Sequence, residues 1–556
     1  MRKDCKAKRN GMIFALLGGM FLVFVLWGYI GSFVFADEMQ AQTYTDLGKE
    51  GSEISATLDE DGYLIFQGTG EMMDWSDDGE VPWVDQREDI KKIKIATDIT
   101  NIGDYAFYGC KNLNEIILQN GMEQIGKDAF YGCTSLKEFV LPDGVTSIGE
   151  SAFYGCNQLL QFNCKSSGLV EIKRYAFKGC NKLRSFQYPS TLETVGEDAF
   201  YGCSSIKKVE FSYGMEKIPD MACQKMSALV CVEFPTEEET TQSDADREQK
   251  KVSVCAVSSS SVVSEEELVK CVVSSSGAVS AEETVVPVTG TSINQNDDAT
   301  TVTIIGADAF NSCTSLQGLE LPANLKQIDT RAFYDCTNLQ NMIFPEQVKE
   351  IAEYVCKYCR QLKTVEIKGE IEKIESGAFQ YDRQLESINL PNGLKEIENE
   401  AFYQCENLAM ITYPASIETI GQNVFYSCTS LKKVQFSAGF TKIPENACNG
   451  MSALEQVIYE KEDEITEVGI RAFCCCSALT QLPLPKNVEK IADNAFFKCN
   501  KITKIELPAK VKEIGERAFA DCSAVEQIVL NEGLETIKAY AFSNCSKVTE
   551  VQYPKQ

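Results

Sequence analysis

The segment "AFYGC" begins at Ala106 and returns unchanged at Ala129, Ala152 and Ala199. The phenylalanine of this "AF" pair falls at 107, 130, 153, 177, 200, 310, 333, 379, 402, 425, 473, 496, 519 and 542. Most consecutive copies lie 23 residues apart, with one spacing of 24. Three missing beats are held by Cys223, Cys356 and Cys448, which gives 17 repeats. A single 23-residue unit cannot bury its own apolar face. Stacked units can, each packing only on its neighbours. The period therefore restricts the chain to a repeat solenoid, roughly 80 Å long at ~4.8 Å per strand.

One copy shows the grammar. In "CKNLNEIILQNGMEQIGKDAF", Leu113, Ile116 and Leu118 make an L-x-x-I-x-L strand signal, and proline often follows it, as at Pro142, Pro322, Pro391 and Pro508. Proline has no N–H to donate and ends a ladder. The "I-G" that precedes "x-x-A-F" reads as a turn in which glycine supplies a positive φ. Phe is the bulky plug of each layer. These features predict a β-rich leucine-rich-repeat array with a parallel strand face and a small N-terminal β cap. A second, longer period overlies the first. "FYGCSSIKKVEFSYGMEKIPDMACQKMSAL" from Phe200 matches "FYSCTSLKKVQFSAGFTKIPENACNGMSAL" from Phe425, an offset of 225 residues, as expected of a duplicated block.

The frame divides the chain. Residues 1–36 join a basic start to an uncharged run from Gly11 to Ala36 and read as a signal peptide cleaved after Val34-Phe35-Ala36, or as a retained signal anchor. Contact with a membrane is expected only through 11–36, if they are retained. Residues 37–97 form the β-rich cap, in which "ATLDEDGYLIF" signals a hairpin around Asp61-Gly62. Repeats fill 98–234 and 304–556. Between them, 235–303 is a Ser/Val/Glu-rich insert, partly disordered by its composition, that repeats "CAVSSSSVVSEEE" as "CVVSSSGAVSAEE". The frame resumes at Ile304-Ile305-Gly306, which favours one continuous solenoid with an extruded loop over two solenoids joined by a linker. No sorting motif or attached domain is expected after the last strand.

"IGDYAFYGCKNLNEIIL" and its copies resemble the leucine-rich repeats of BspA-like bacterial surface proteins. "DEDGYLIFQGTGEM" with "PWVDQREDIKKIKI" is similar to the β-rich segment that precedes such arrays. The resemblance covers about 44–234 and 304–556. It implies export to the bacterial surface or medium and, for some members, adhesion or aggregation. It supplies no catalytic residues, and the chain shows no C-terminal anchor of the kind some members carry.

Composition narrows the chemistry. The chain of 556 residues contains no histidine, so Ser-His and Cys-His nucleophiles and His-ligated metals are excluded. A formal charge of −28 argues against nucleic acid as a partner. No cofactor or metal is expected. "GMEQIGKD" mimics a phosphate-binding loop, but Asp128 stands where Ser or Thr is needed.

Cysteine closes "AF-x-x-C" at Cys110, Cys133, Cys156, Cys180, Cys203, Cys313, Cys336, Cys359, Cys405, Cys428, Cys476, Cys499, Cys522 and Cys545. These are read as a structural ladder of small buried residues whose S–H reaches a backbone carbonyl. Disulfides between turns are the alternative in an exported protein. Met226, Asp382 and Met451 replace the cysteine in three copies, and Asp382 is expected to need a partner or some exposure. Cys255 and Cys271 in the insert are one candidate disulfide pair.

Two sets of side chains are candidates for ligand contact. Tyr108, Tyr131, Tyr154 and Tyr201 follow the Phe and stack at one phase, as an aromatic contact ridge or as edge packing over the Phe layer. The outward strand positions vary from copy to copy and include Glu115, Ile117, Glu138, Gln161, Ile343 and Met410. Such a surface suits an extended protein or glycan better than it suits a catalytic pocket. The function expected is binding or adhesion. A passive envelope spacer is the alternative, followed by an enzyme with its site in the cap or the insert.

Overall fold

Each 23-residue unit makes one coil carrying two short strands, and both stack in parallel on the next coil. A computed structural model describes residues 41–164, 168–234 and 300–553. The longer strands, such as Ser185–Tyr188, Lys208–Phe211 and Cys231–Glu233, pair in parallel, Ser185 beside Lys208 and Lys208 beside Cys231. Two-residue strands form the second ladder, as in Gln124–Ile125 beside Ser147–Ile148 and Glu171–Ile172. Partners lie one repeat apart, so the sequence period is the strand register. The architecture is a parallel-strand β-solenoid with short 3-10 turns at Val84–Gln86 and Glu462–Glu464 and no α-helix among the described residues.

The layers hold together through columns of like residues. Phe107, Phe130, Phe153, Phe177 and Phe200 are buried and stack face to face at 5.2–5.4 Å. Burying one such ring contributes about 1.5–3 kcal/mol relative to exposure. Backbone N–H groups donate across coils, as from Phe107 to Ala129 O (2.8 Å) and from Phe130 to Ala152 O (2.7 Å).

The ladder runs through the insert. The strand Lys217–Ile218 pairs in parallel with Ile304–Ile305, and Cys313 Sγ donates to Cys223 O at 3.1 Å. The coils before and after residues 235–299 are thus consecutive layers of one solenoid. The expected signal segment, the Cys255 and Cys271 pair and most of the insert lie outside the described residues.

The "I-G" glycine works differently from the expectation. Gly126 and Gly149 do not adopt positive φ; a Cβ on Gly149 would come within 2.4 Å of Gly126 C and one on Gly126 within 2.6 Å of Asp104 Oδ1. Close approach of stacked backbones, rather than turn handedness, selects glycine there. The left-handed residue comes two positions later and is usually not glycine: Asp128 has φ 53° and Ser151 φ 54°. Its N–H donates to the next coil, Asp128 to Glu150 O at 2.8 Å, which holds the unfavourable conformation in place.

At the N-terminus, β1 (Gln42–Tyr44), β2 (Glu53–Leu58) and β3 (Tyr63–Thr69) form an antiparallel meander, and Gly62 at the β2–β3 turn has φ 84°. Next, β4 (Lys92–Lys94) joins β3 in parallel and then the strand Glu115–Ile117. The coil ladder therefore begins at β4, upstream of residue 98.

Candidate functional site

The columns separate inert positions from available ones. The cysteine column is inert. Cys133 Sγ donates to Phe107 O at 3.2 Å, Cys156 Sγ to Phe130 O at 3.2 Å and Cys180 Sγ to Phe153 O at 3.1 Å, and the pattern runs to Cys545 and Phe519 O at 3.3 Å. From Cys133 onward each ladder thiol donates to a carbonyl of the preceding layer. Burial pushes the thiols of Cys110, Cys156, Cys203 and Cys428 up to about 12, so almost none is thiolate at neutral pH. Among the described residues the ladder cysteines are free thiols, and so is Cys356, which forms the formal CxxC with Cys359.

Two of the three coils that lack Phe are repaired from the strand. Tyr188 and Tyr413, fully buried and 225 residues apart, donate their hydroxyls to Ala222 O and Ala447 O, beside Cys223 and Cys448. The ring of the strand tyrosine fills space that Phe leaves when cysteine replaces it.

Asp382 departs from expectation. It occupies the cysteine column, is fully buried, and neither carboxylate oxygen has a hydrogen-bond partner. Burial pushes its carboxyl well above the ordinary range, opposed by the nearby backbone N–H of Cys359. Burial at this position therefore favours the neutral acid over the carboxylate.

The tyrosine column is a stack of rings. Tyr108, Tyr131 and Tyr154 lie 4.6 Å apart with interplanar angles of 8° and 9°. Their faces cover one another, leaving edges and hydroxyls to solvent. Lys178 interrupts the column, its Nζ 5.6 Å from the Tyr154 ring and 5.1 Å from that of Tyr201. Tyr201 is the most open of the four at 46% exposed. Ring faces suited to stacking on a sugar are thus already used within Tyr108, Tyr131 and Tyr154.

The outward strand rows differ among themselves. Many polar positions are tied from coil to coil. Glu115 pairs with Lys92 at 2.7 Å, Lys208 with Glu233 at 2.6 Å, and Gln187 Nε2 donates to Glu210 Oε1 at 2.8 Å. By contrast, the exposed side chains of Glu138 and Gln161 make no hydrogen bond or ion pair among the described residues. They sit opposite each other on the paired strands Glu138–Val140 and Gln161–Asn163, next to Val140, which is 67% exposed. Ile343 and Met410 are exposed in later coils, while Ile117 is half-buried. The degree of exposure of Val140 is set by the packing and not by the strand pattern. The short-strand side carries an open cleft of about 560 Å³ over Gln327, Asp329 and Glu375. Two of its carboxylates are engaged: Asp329 accepts from Gln327 Nε2 (2.6 Å) and Glu375 from the Glu353 N–H (2.9 Å). No cluster of three metal-ligating side chains occurs among the described residues.

The repeats match the model of the BspA type leucine rich repeat region, in 6 copies, over residues 85–168, 165–260, 289–383, 349–466 and 459–556. The chain belongs to the BspA-type leucine-rich-repeat family. No curated protein matches it. Among solved structures it is similar to a leucine-rich repeat protein from Bacteroides ovatus, at 20% identity over 92% of this chain and 98% of that one, TM-score 0.42. A leucine rich cell surface protein from Faecalibacterium prausnitzii matches at 19% identity over 75% of this chain and 88% of that one, TM-score 0.33. A leucine-rich repeat protein from Eubacterium ventriosum matches at 19% identity over 93% and 97%, TM-score 0.28. The BspA-type assignment rests on the family model and on the coils themselves. In these terms the BspA-type coil is a cysteine-lined, Phe-plugged layer, and what varies between its copies is the outward strand row.

Proposed function

We propose that the chain is an exported bacterial binding protein that engages a protein or glycan through the outward face of its longer strands, without catalysis. The observation that carries this reading is the patch of Glu138, Val140 and Gln161, where two exposed polar side chains have no partner among the described residues and lie beside an exposed valine. Such a patch gains contacts on binding and loses none, whereas the ion-paired rows must first give up their own. Ile343 and Met410 extend the same chemistry to later coils. The stacked tyrosines favour a partner that meets hydroxyl edges over one that needs an aromatic face. Membership of a family with exported, surface-displayed members supports placement at the cell surface or in the medium, as does the basic start followed by the uncharged run Gly11 to Ala36. Purified full-length chain applied to arrays of surface glycoproteins and glycans tests the reading. Binding that weakens at least tenfold in a Glu138→Lys, Val140→Asp, Gln161→Lys variant supports it. Equal binding by both proteins rejects the patch as the contact surface.

A further inference from the structure

Between Phe473 and the ladder cysteine Cys476 lie two more cysteines, Cys474 and Cys475. Cys475 stands in the column that Gly109, Gly132 and Gly450 fill in other coils, with φ 60°. Cys474 is nearly buried, at 8% exposed, whereas Cys475 is half-exposed. Their Sγ atoms are 3.6 Å apart. The next residue in the Cys475 column is Lys498, also left-handed at φ 59°. The Cys475 N–H donates to Phe497 O at 2.7 Å, which sets the two coils one layer apart.

A thiol in contact with a second thiol and beside an ammonium is an arrangement that stabilises one thiolate. The contact with the Cys474 sulfur and the charge of Lys498 hold the Cys475 thiol below its ordinary range, while the same contact pushes Cys474 up. Every ladder thiol has the opposite environment. Cys545 is the other described cysteine that is not buried, but its sulfur donates to Phe519 O at 3.3 Å and burial raises it.

The pair is badly placed to close on itself. Consecutive Cα atoms are ~3.8 Å apart, below the ~4.4–6.8 Å that a relaxed disulfide spans. Both residues are also held by the stack, the Gly450 N–H donating to Cys474 O at 2.9 Å. We propose that Cys475 is a site of S-thiolation, exchanging with low-molecular-weight disulfides and retaining the mixed disulfide, with Cys474 and Lys498 as positioning residues. The Cys475 thiolate attacks one sulfur of R–S–S–R. A bond forms between Cys475 Sγ and that sulfur while the S–S bond of the reagent breaks, releasing R–S⁻, which takes a proton from solvent. Cys475 is oxidised to the disulfide level and the departing sulfur is reduced.

The test treats the reduced full-length chain with oxidised glutathione at pH 7 and maps adducts by mass spectrometry of the peptide spanning 472–486. The expected result is one glutathione on Cys475, formed at least about tenfold faster than on Cys545, as its thiolate character requires. Lys498→Gln and Cys474→Ala slow the reaction severalfold and move the midpoint of its pH–rate profile upward. Cys475→Gly, which restores the usual residue of that column, removes the adduct without lowering the melting temperature. An unmodified Cys475, a Cys474–Cys475 disulfide, or equal rates at Cys475 and Cys545 would overturn the proposal.

Discussion

The first and last described coils carry the same repeat and end differently. At the first, Trp83 is 1% exposed and continues the Phe column, stacking on Phe107 at 6.1 Å. Tyr44, Phe66 and Trp75 meet it edge-on at 5.4–5.6 Å, and its Nε1–H donates to Ala106 O at 2.8 Å. At the last, Phe542 still stacks on Phe519 at 5.5 Å but is only half-buried. Ile537 is 48% exposed, Tyr540 65% and Tyr553 73%. A repeat supplies its own core only where another layer covers it. The hairpin and Trp83 are that layer at one end, so stability is set by neighbours more than by the repeat sequence itself.

Three substitutions probe this contrast. Trp83→Ala removes the plug and an indole hydrogen bond from a fully packed site, and should cost about 3–5 kcal/mol locally. Hydrogen exchange should then accelerate through residues 42–118 while later coils stay protected. Uniform acceleration along the chain would show that the layers do not act as neighbours.

Asp382→Cys tests an interior layer. Restoring the ladder thiol removes an unpartnered buried carboxyl and should stabilise by about 1–3 kcal/mol, read as a shift in denaturant midpoint. The gain depends on pH with a definite sign. Because the folded-state pKa of Asp382 is raised, the wild type is least penalised below the unfolded value of about 3.9. It loses stability relative to the variant as pH rises from there toward the folded value. The titratable groups facing Asp382 are the buried thiols of Cys356, Cys359 and Cys405, which stay neutral through that range. A difference that shrinks with rising pH would contradict the buried neutral acid.

Phe542→Ala should have the smallest effect, about 1 kcal/mol, since the ring is already half in solvent. A cost as large as that of Trp83→Ala would mean that another layer covers this end in solution.

Much of this was legible because a solenoid turns sequence spacing into spatial neighbourhood. The 23-residue step gave the strand register, the Phe column and the buried cysteine column, and "DEDG" gave the β2–β3 turn. Trp83 was missed although it lies 24 residues before Phe107, the same step that separates Phe153 from Phe177. Its residue type differs, and the signal lay in phase alone. The burial of Asp382 was missed because a carboxylate normally argues for exposure, and here the rigidity of the layers overrides it. The stacking of Tyr108 on Tyr131 and Tyr154 follows from a 4.6 Å layer spacing that forces ring against ring. Which outward side chains remain unpaired depends on rotamers and cross-coil partners, which a one-dimensional pattern does not contain.

The central claim is that the columns are scaffold and that the unpaired outward row is the contact surface. It is tested most directly by measuring, on one array, the binding and the melting temperature of the wild-type chain and of the Glu138→Lys, Val140→Asp, Gln161→Lys variant. The account predicts binding reduced at least tenfold with the melting temperature within a few degrees, as surface substitutions allow. Undiminished binding by a folded variant would contradict it.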